Sequence, residues 1–140
     1  MNCFDIDGER RQQEEPTNIY AASAYPSFLF TICGPSCIQG LTGVSNFAAN
    51  AWPMVMISGS SFQNFTGRGD FQELDQIAAV KHFSKFSTKA TDITKITTSV
   101  FAAIDLGSHG STGRDGTYLG LPTDVLHQTI NKSEAEKLIT

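Results

Sequence analysis

Three short apolar runs, Phe28–Ile32, Met54–Ile57 and Thr117–Leu121, each close on a turn-forming cluster, and helix-patterned stretches lie between them. Runs of four or five apolar residues without alternation read as strands buried on both faces. After the first, Cys37, Ile38, Leu41, Val44 and Ala48 recur at helical spacing; before the last, Ile93, Ile96, Val100 and Ile104 share one helical face. Strands alternating with helices predict an α/β fold, a parallel sheet covered on both faces. Ligands of such sheets gather at the carboxyl ends of the strands. Here those ends are Cys33-Gly34-Pro35, Ser58-Gly59-Ser60 and Pro122-Thr123-Asp124.

Around this frame the chain predicts further elements. Met1 to Gln13 is polar and reads as a disordered start. A helix is expected from Pro16 to Ala24: Glu14 and Glu15 suit the positive end of its dipole, Pro16 its first turn, and Pro26 stops it. Gly40 and Gly43 lower the local helix propensity but permit close approach of a neighbouring element. Phe71 to Phe83 is predicted mostly helical, Phe83–Ser87 a short strand and Thr91–Leu106 a helix. Gly107 to Gly116 is predicted as a glycine-rich loop, and Glu134 to Thr140 as another helix or a linker. The sheet should have three or four strands.

Composition excludes several functions. With 140 residues and 40% hydrophobic content the chain has the material for one domain with a core. A net charge of −4 without a basic face predicts no nucleic-acid partner. The chain has no basic amphipathic stripe, and its apolar runs fall far short of the ~20 residues a spanning helix needs, which predicts no membrane role. Cys3, Cys33 and Cys37 are odd in number and read as free thiols; the C-x-x-x-C spacing of the last two suits small packing residues rather than a redox pair or zinc site. His82, His109 and His127 are dispersed, and none is expected to hold a metal. The glycines at 107, 110, 113 and 116 lack the Lys-Ser/Thr of a phosphate loop, and Arg68-Gly69-Asp70 reads as a turn.

One stretch is different in kind. Trp52-Pro53-Met54-Val55-Met56-Ile57-Ser58-Gly59-Ser60, followed by Gly67-Arg68-Gly69-Asp70-Phe71-Gln72-Glu73-Leu74-Asp75-Gln76, resembles the N-terminal, pyrimidine-binding domain of thiamine diphosphate-dependent enzymes. The 2-hydroxyacyl-CoA lyase and oxalyl-CoA decarboxylase branch, in its plant-type form, is the nearest resemblance. It extends upstream through Gly34-Pro35 and Gly40-Leu41 to Tyr20-Ala21-Ala22-Ser23-Ala24-Tyr25. Downstream it runs through Tyr118-Leu119 and Leu121-Pro122-Thr123-Asp124-Val125-Leu126 to Ser133-Glu134-Ala135-Glu136-Lys137-Leu138.

The resemblance implies a site and a chemistry. The cofactor would be thiamine diphosphate, which serves as an electron sink in carbon–carbon cleavage next to a carbonyl. In the family, a glutamate bonded to the pyrimidine ring drives proton removal, and it lies five residues before the tyrosine of the Tyr-Ala-Ala-Ser-Ala-Tyr segment. Counting back from Tyr20 assigns that role to Glu15. Gly34 and Pro35 match the family's Gly-Pro turn. Phe71 and Gln72 match the loop that approaches cofactor and substrate from a partner subunit, and Phe-Gln at this place leans towards the lyases. Mg²⁺ and the diphosphate would be held by a separate C-terminal domain whose Gly-Asp-Gly signature is not found in this chain.

The resemblance also has departures. The family's Gly-Pro-Gly is here Gly34-Pro35-Ser36, its Arg-Pro-Gly turn is Arg114-Asp115-Gly116, and the Asp after Tyr-Leu is Gly120. The chain is therefore expected to be a truncated pyrimidine domain, inactive alone. Residues 1–14 would be a non-homologous start, 15–128 the partial domain, and 129–140 the beginning of a linker. The intact relative would be a homo-oligomer that cleaves 2-hydroxyacyl-CoA to an aldehyde and formyl-CoA, or decarboxylates oxalyl-CoA, in the peroxisome. The chain itself, ending Leu138-Ile139-Thr140, would stay cytoplasmic. The rival expectation is a non-catalytic interaction module, or a degenerate remnant, that pairs with a full-length paralogue.

Overall fold

The structure is a computed structural model and describes residues 27–108 and 116–139. The helix predicted from Pro16 to Ala24, and Glu15 with it, lies outside the described residues. The first described strand, β1, is Ser27–Thr31. Helix α1, Pro35–Ala49, follows at once: Pro35 occupies its first turn, where a missing N–H costs nothing. It ends at Asn50, and Ala51 takes a left-handed φ of 54° before Trp52. Strand β2 is Met54–Ser60, a single 3-10 turn covers Gln63–Phe65, and α2 is a short helix, Gln76–Val80. Strand β3 is Ser84–Lys89, α3 is Ile93–Ser108 and β4 is Gly116–Pro122. Two helices, α4 at Thr123–Leu126 and α5 at Lys132–Ile139, close the chain.

The four strands form one parallel sheet in the order β1-β2-β4-β3. The expected fold class is the observed one, and β3 is the strand expected near Phe83–Ser87. Right-handed crossovers assign each helix a face. The connections β1 to β2 and β2 to β3 run in one direction across the sheet, which puts α1 and α2 on one face, where they touch each other. The return from β3 to β4 puts α3 on the opposite face, where it packs on β4 and meets α5. The outgoing connections of β2 and β4 thus leave on opposite faces, so a crevice opens between the carboxyl ends of these neighbours.

Strand position explains the apolar runs. Both central strands, β2 and β4, are buried nearly throughout; the edge strand β1 alternates, with Leu29 inside and Phe28 and Phe30 exposed. Leu29, Cys37, Val44, Phe47, Met54, Met56 and Tyr118 form the core between the sheet and α1. Burying one side chain such as Phe47 contributes about 1.5–3 kcal/mol. The close approach expected at Gly40 is present: a Cβ there would stand 3.1 Å from Thr31 Cγ2, 3.2 Å from Met56 Cε and 3.3 Å from Leu29 Cδ2.

Several boundaries differ from expectation. Phe71 to Phe83 is not mostly helical; only Gln76–Val80 is, because Gln72 takes a left-handed φ of 55° and Asp75 caps the helix, accepting a hydrogen bond from Ala78 N at 3.0 Å. Ser58-Gly59-Ser60 does not end β2 but continues it, in register with Gly120, Leu121 and Pro122 of β4. Helix α3 continues through Gly107 to Ser108, and the last helix begins at Lys132 rather than Glu134.

Candidate active site

The rim at the carboxyl end of β1 is built around Gly34. Its φ of 63° turns the chain into α1, and its carbonyl accepts from Cys37 N at 3.0 Å and Ile38 N at 3.3 Å. A left-handed φ favours glycine, and here space demands it as well: a Cβ on Gly34 would lie 2.5 Å from the Gln72 carbonyl oxygen and 2.8 Å from Gln72 Cβ. Pro35 follows, exposed, at the head of α1. The fold thus brings Gly34-Pro35 and Gln72 together. A second tie crosses the same gap, since the Cys33 thiol donates to Gln72 Oε1 at 3.0 Å. Cys33 was expected only to pack; its partner lies 39 residues away, a distance no spacing pattern reveals. Cys37 does pack: it is fully buried in the core, and burial pushes its thiol up from the ordinary value.

The other side of the rim is the loop from Gly67 to Glu73. Gly67 and Gly69 take φ of 81° and 74°, which aims several backbone N–H groups inward. The Glu73 carboxylate gathers them, accepting from Gly67 N, from Gly69 N at 2.8 Å and from Asp70 N at 3.1 Å. These bonds, that from Gly67 foremost, hold its carboxyl below the usual carboxylate range. Asp70 ties the same turn, accepting from Phe71 N at 2.8 Å through Oδ1 and from Glu73 N at 3.0 Å through its carbonyl. So clamped, the loop leaves Phe71 81% exposed. A phenyl ring held outward on a loop fixed by these five hydrogen bonds contributes nothing to the core of the described residues.

Beneath the rim, Ser58 and Gln76 join the strand ends. Ser58 Oγ donates to Ile32 O at 2.9 Å, and Gln76 Nε2 reaches Ser58 Oγ at 3.2 Å and Gly59 O at 3.0 Å. Both side chains are buried; the sequence marks Ser58 as a strand end and Gln76 as part of the family-like stretch, but not their bond to each other.

The edge where Gly34 meets Gln72 carries no charged side chain; the Asp70 and Glu73 carboxylates stand on the loop beside it. Gln72 covers the side of Gly34 where a Cβ would stand, so what this edge presents outward is Pro35 and the Phe71 ring, neither of which can move a proton. Among the described residues no three His, Cys, Asp or Glu side chains converge. The residue expected to act as base, Glu15, lies outside the described residues. Among them, no helix is long and apolar enough to cross a membrane.

A four-stranded parallel sheet with a glycine-proline turn and a phenylalanine-glutamine loop meeting over its carboxyl edge is the architecture of a cofactor-binding α/β domain. Comparison with known proteins makes this specific. Residues 14–79 match the family described as thiamine pyrophosphate enzyme, N-terminal TPP binding domain, and the chain is similar to that family. It is 55% identical over 126 residues to a 2-hydroxyacyl-CoA lyase of Arabidopsis thaliana and 52% identical to one of Oryza sativa, in each case across 86% of this chain. It is 34% identical over 131 residues, 89% of this chain, to an oxalyl-CoA decarboxylase of Escherichia coli K12. The chain spans 22% of the length of the two plant lyases and 23% of the decarboxylase. These likenesses favour a thiamine-enzyme domain over the rival interaction module.

Proposed function

We propose that this chain supplies the pyrimidine side of a thiamine diphosphate site in a carbon–carbon lyase acting on 2-hydroxyacyl-CoA, with oxalyl-CoA decarboxylation as the neighbouring chemistry. The observation that carries the reading is the meeting of Gly34 and Gln72, two family motifs far apart in the chain that share a contact only glycine permits. The identity to plant lyases supports it, as does Phe71-Gln72 at the presented loop.

The roles divide by chemistry. Thiamine diphosphate, when bound, supplies the electron sink for cleavage of the bond next to the carbonyl. Glu15 holds and moves a proton at the pyrimidine ring as general base. Gly34 and Pro35 bring backbone close to that ring, and Phe71 and Gln72 orient cofactor and substrate from the presented loop. Mg²⁺ and the diphosphate belong to a second domain of the whole enzyme, which would work as a homo-oligomer, or with a full-length paralogue, in the peroxisome. In this reading residues 15–128 are the domain proper and 129–140 lead towards the next one.

A chimera tests the reading. Residues 15–128 replace the matching segment of an active full-length lyase, and Glu15→Gln is then introduced. The substitution keeps shape but removes the proton relay, so kcat should fall at least ~10²-fold with the KM for acyl-CoA little changed. An active chimera indifferent to Glu15→Gln overturns the assignment.

A further inference from the structure

The two edges of the sheet are built differently. At one edge, β3 reads Ser84-Lys85-Phe86-Ser87-Thr88-Lys89: it carries two lysines, and its pairing with β4 slips between Ser84 and Phe86. Charge and an irregular register are two devices that keep an edge strand from pairing with another chain. At the other edge, β1 pairs with β2 without a slip from Ser27 to Thr31. The run Phe28-Leu29-Phe30-Thr31-Ile32 holds no charge, no proline and no glycine, the composition that pairs strand to strand.

The side chains of β1 carry the same message. Leu29 turns into the core under α1, so Phe28 and Phe30 stand on the face that α3 occupies. Helix α3 packs on β4, β2 and β3 and leaves them bare: Phe28 is 41% exposed, Phe30 55% and Ile32 45%. Among the described residues β1 has one strand neighbour, β2. Alternate residues of an edge strand turn their N–H and C=O outward, so the outer side of Phe28–Ile32 offers a row of donors and acceptors.

A helix or a loop laid on this edge would cover the rings and leave that row unmatched; a strand meets both. The β1 strand of a second copy does so symmetrically. About a two-fold axis the two strands run antiparallel, each faces the same uncharged residues, and the pair closes with both β1 edges used. The β3 edge of a second copy fits worse, because it would set Lys85 and Lys89 against β1 and carry its slip into the new ladder. The exposed parts of the two rings amount to roughly 200 Å² per copy, small beside the ~800 Å² per partner of a standard interface. Main-chain bonds therefore carry much of the affinity, and the dimer belongs to the weak, concentration-dependent class.

We infer that the β1 edge is a dimerisation surface for a second copy of this chain, antiparallel β1–β1 pairing joining the two sheets into one. Sedimentation of the full chain from about 1 to 500 µM should show a monomer–dimer equilibrium. Amide exchange at Phe28–Ile32 should slow as the dimer fills. Phe30→Lys sets two ammonium groups near the two-fold axis and should raise the dimer Kd at least ~10-fold. Leu126→Lys alters a side chain as exposed as Phe30, at 53%, but following β4, two strands away, and should leave the dimer unchanged. If Phe30→Lys does not fold, the concentration dependence of amide exchange in the unaltered chain decides alone. A chain that stays monomeric throughout overturns the inference, whether its β1 amides are open or already protected by its own residues. So does a dimer that Phe30→Lys leaves intact or Leu126→Lys weakens equally, and so do assemblies that keep growing past the dimer.

Discussion

At Gly34 two demands fall on one residue, a positive φ and a neighbour's carbonyl 2.5 Å from where a Cβ would stand. Gly34→Ala should therefore cost about 2–4 kcal/mol, well beyond the ~1 kcal/mol of a simple left-handed alanine, measured by urea denaturation. The Cys33 thiol on Gln72 is a milder tie. Cys33→Ala should lower stability by about 1 kcal/mol and loosen the Gln72 turn, seen as faster amide exchange there. Gly34, Pro35, Phe71 and Gln72 were legible in the sequence because each belongs to a local motif. The bonds of Cys33, Ser58 and Gln76 were not, because their partners come from segments far apart in the chain.

The loop before α2 misled the sequence reading. Phe71 to Phe83 has helical composition, but Glu73 spends its carboxylate on the N–H groups of Gly67, Gly69 and Asp70, and the helix waits for the Asp75 cap. Asp75→Ala should destabilise the chain by about 1 kcal/mol in thermal or urea unfolding. The Glu73 clamp has a signed pH dependence. Its carboxyl is lowered in the folded chain, so the hold is fully present above the ordinary glutamate range and is lost as pH falls through the lowered value. The Gly69 amide should follow that titration by NMR, and Glu73→Gln should remove the pH dependence and speed exchange at Gly67 and Gly69.

In the whole molecule α1 is the brace between the β1 edge and the central strands. Phe47 is 1% exposed and meets Trp52 edge-on at 5.6 Å between ring centres. Phe47→Ala should cost about 3–5 kcal/mol by denaturation, since a cavity there lies between α1 and the sheet with little means to collapse. The parallel α/β class, the positions of β1, β2 and β4, α1 and the Gly-Pro turn follow from the chain by itself, because apolar runs and helical spacing are local signals; burial on two faces holds for β2 and β4 but not for β1, whose place at the sheet edge leaves Phe28 and Phe30 exposed. The strand order, which inserts β4 between β2 and β3, was decided by tertiary structure, and so were the contact of Gly34 with Gln72 and the place of β1 at the edge. All three depend on which strands lie side by side, and that is set by packing energy summed over the whole sheet rather than by any segment's own preference.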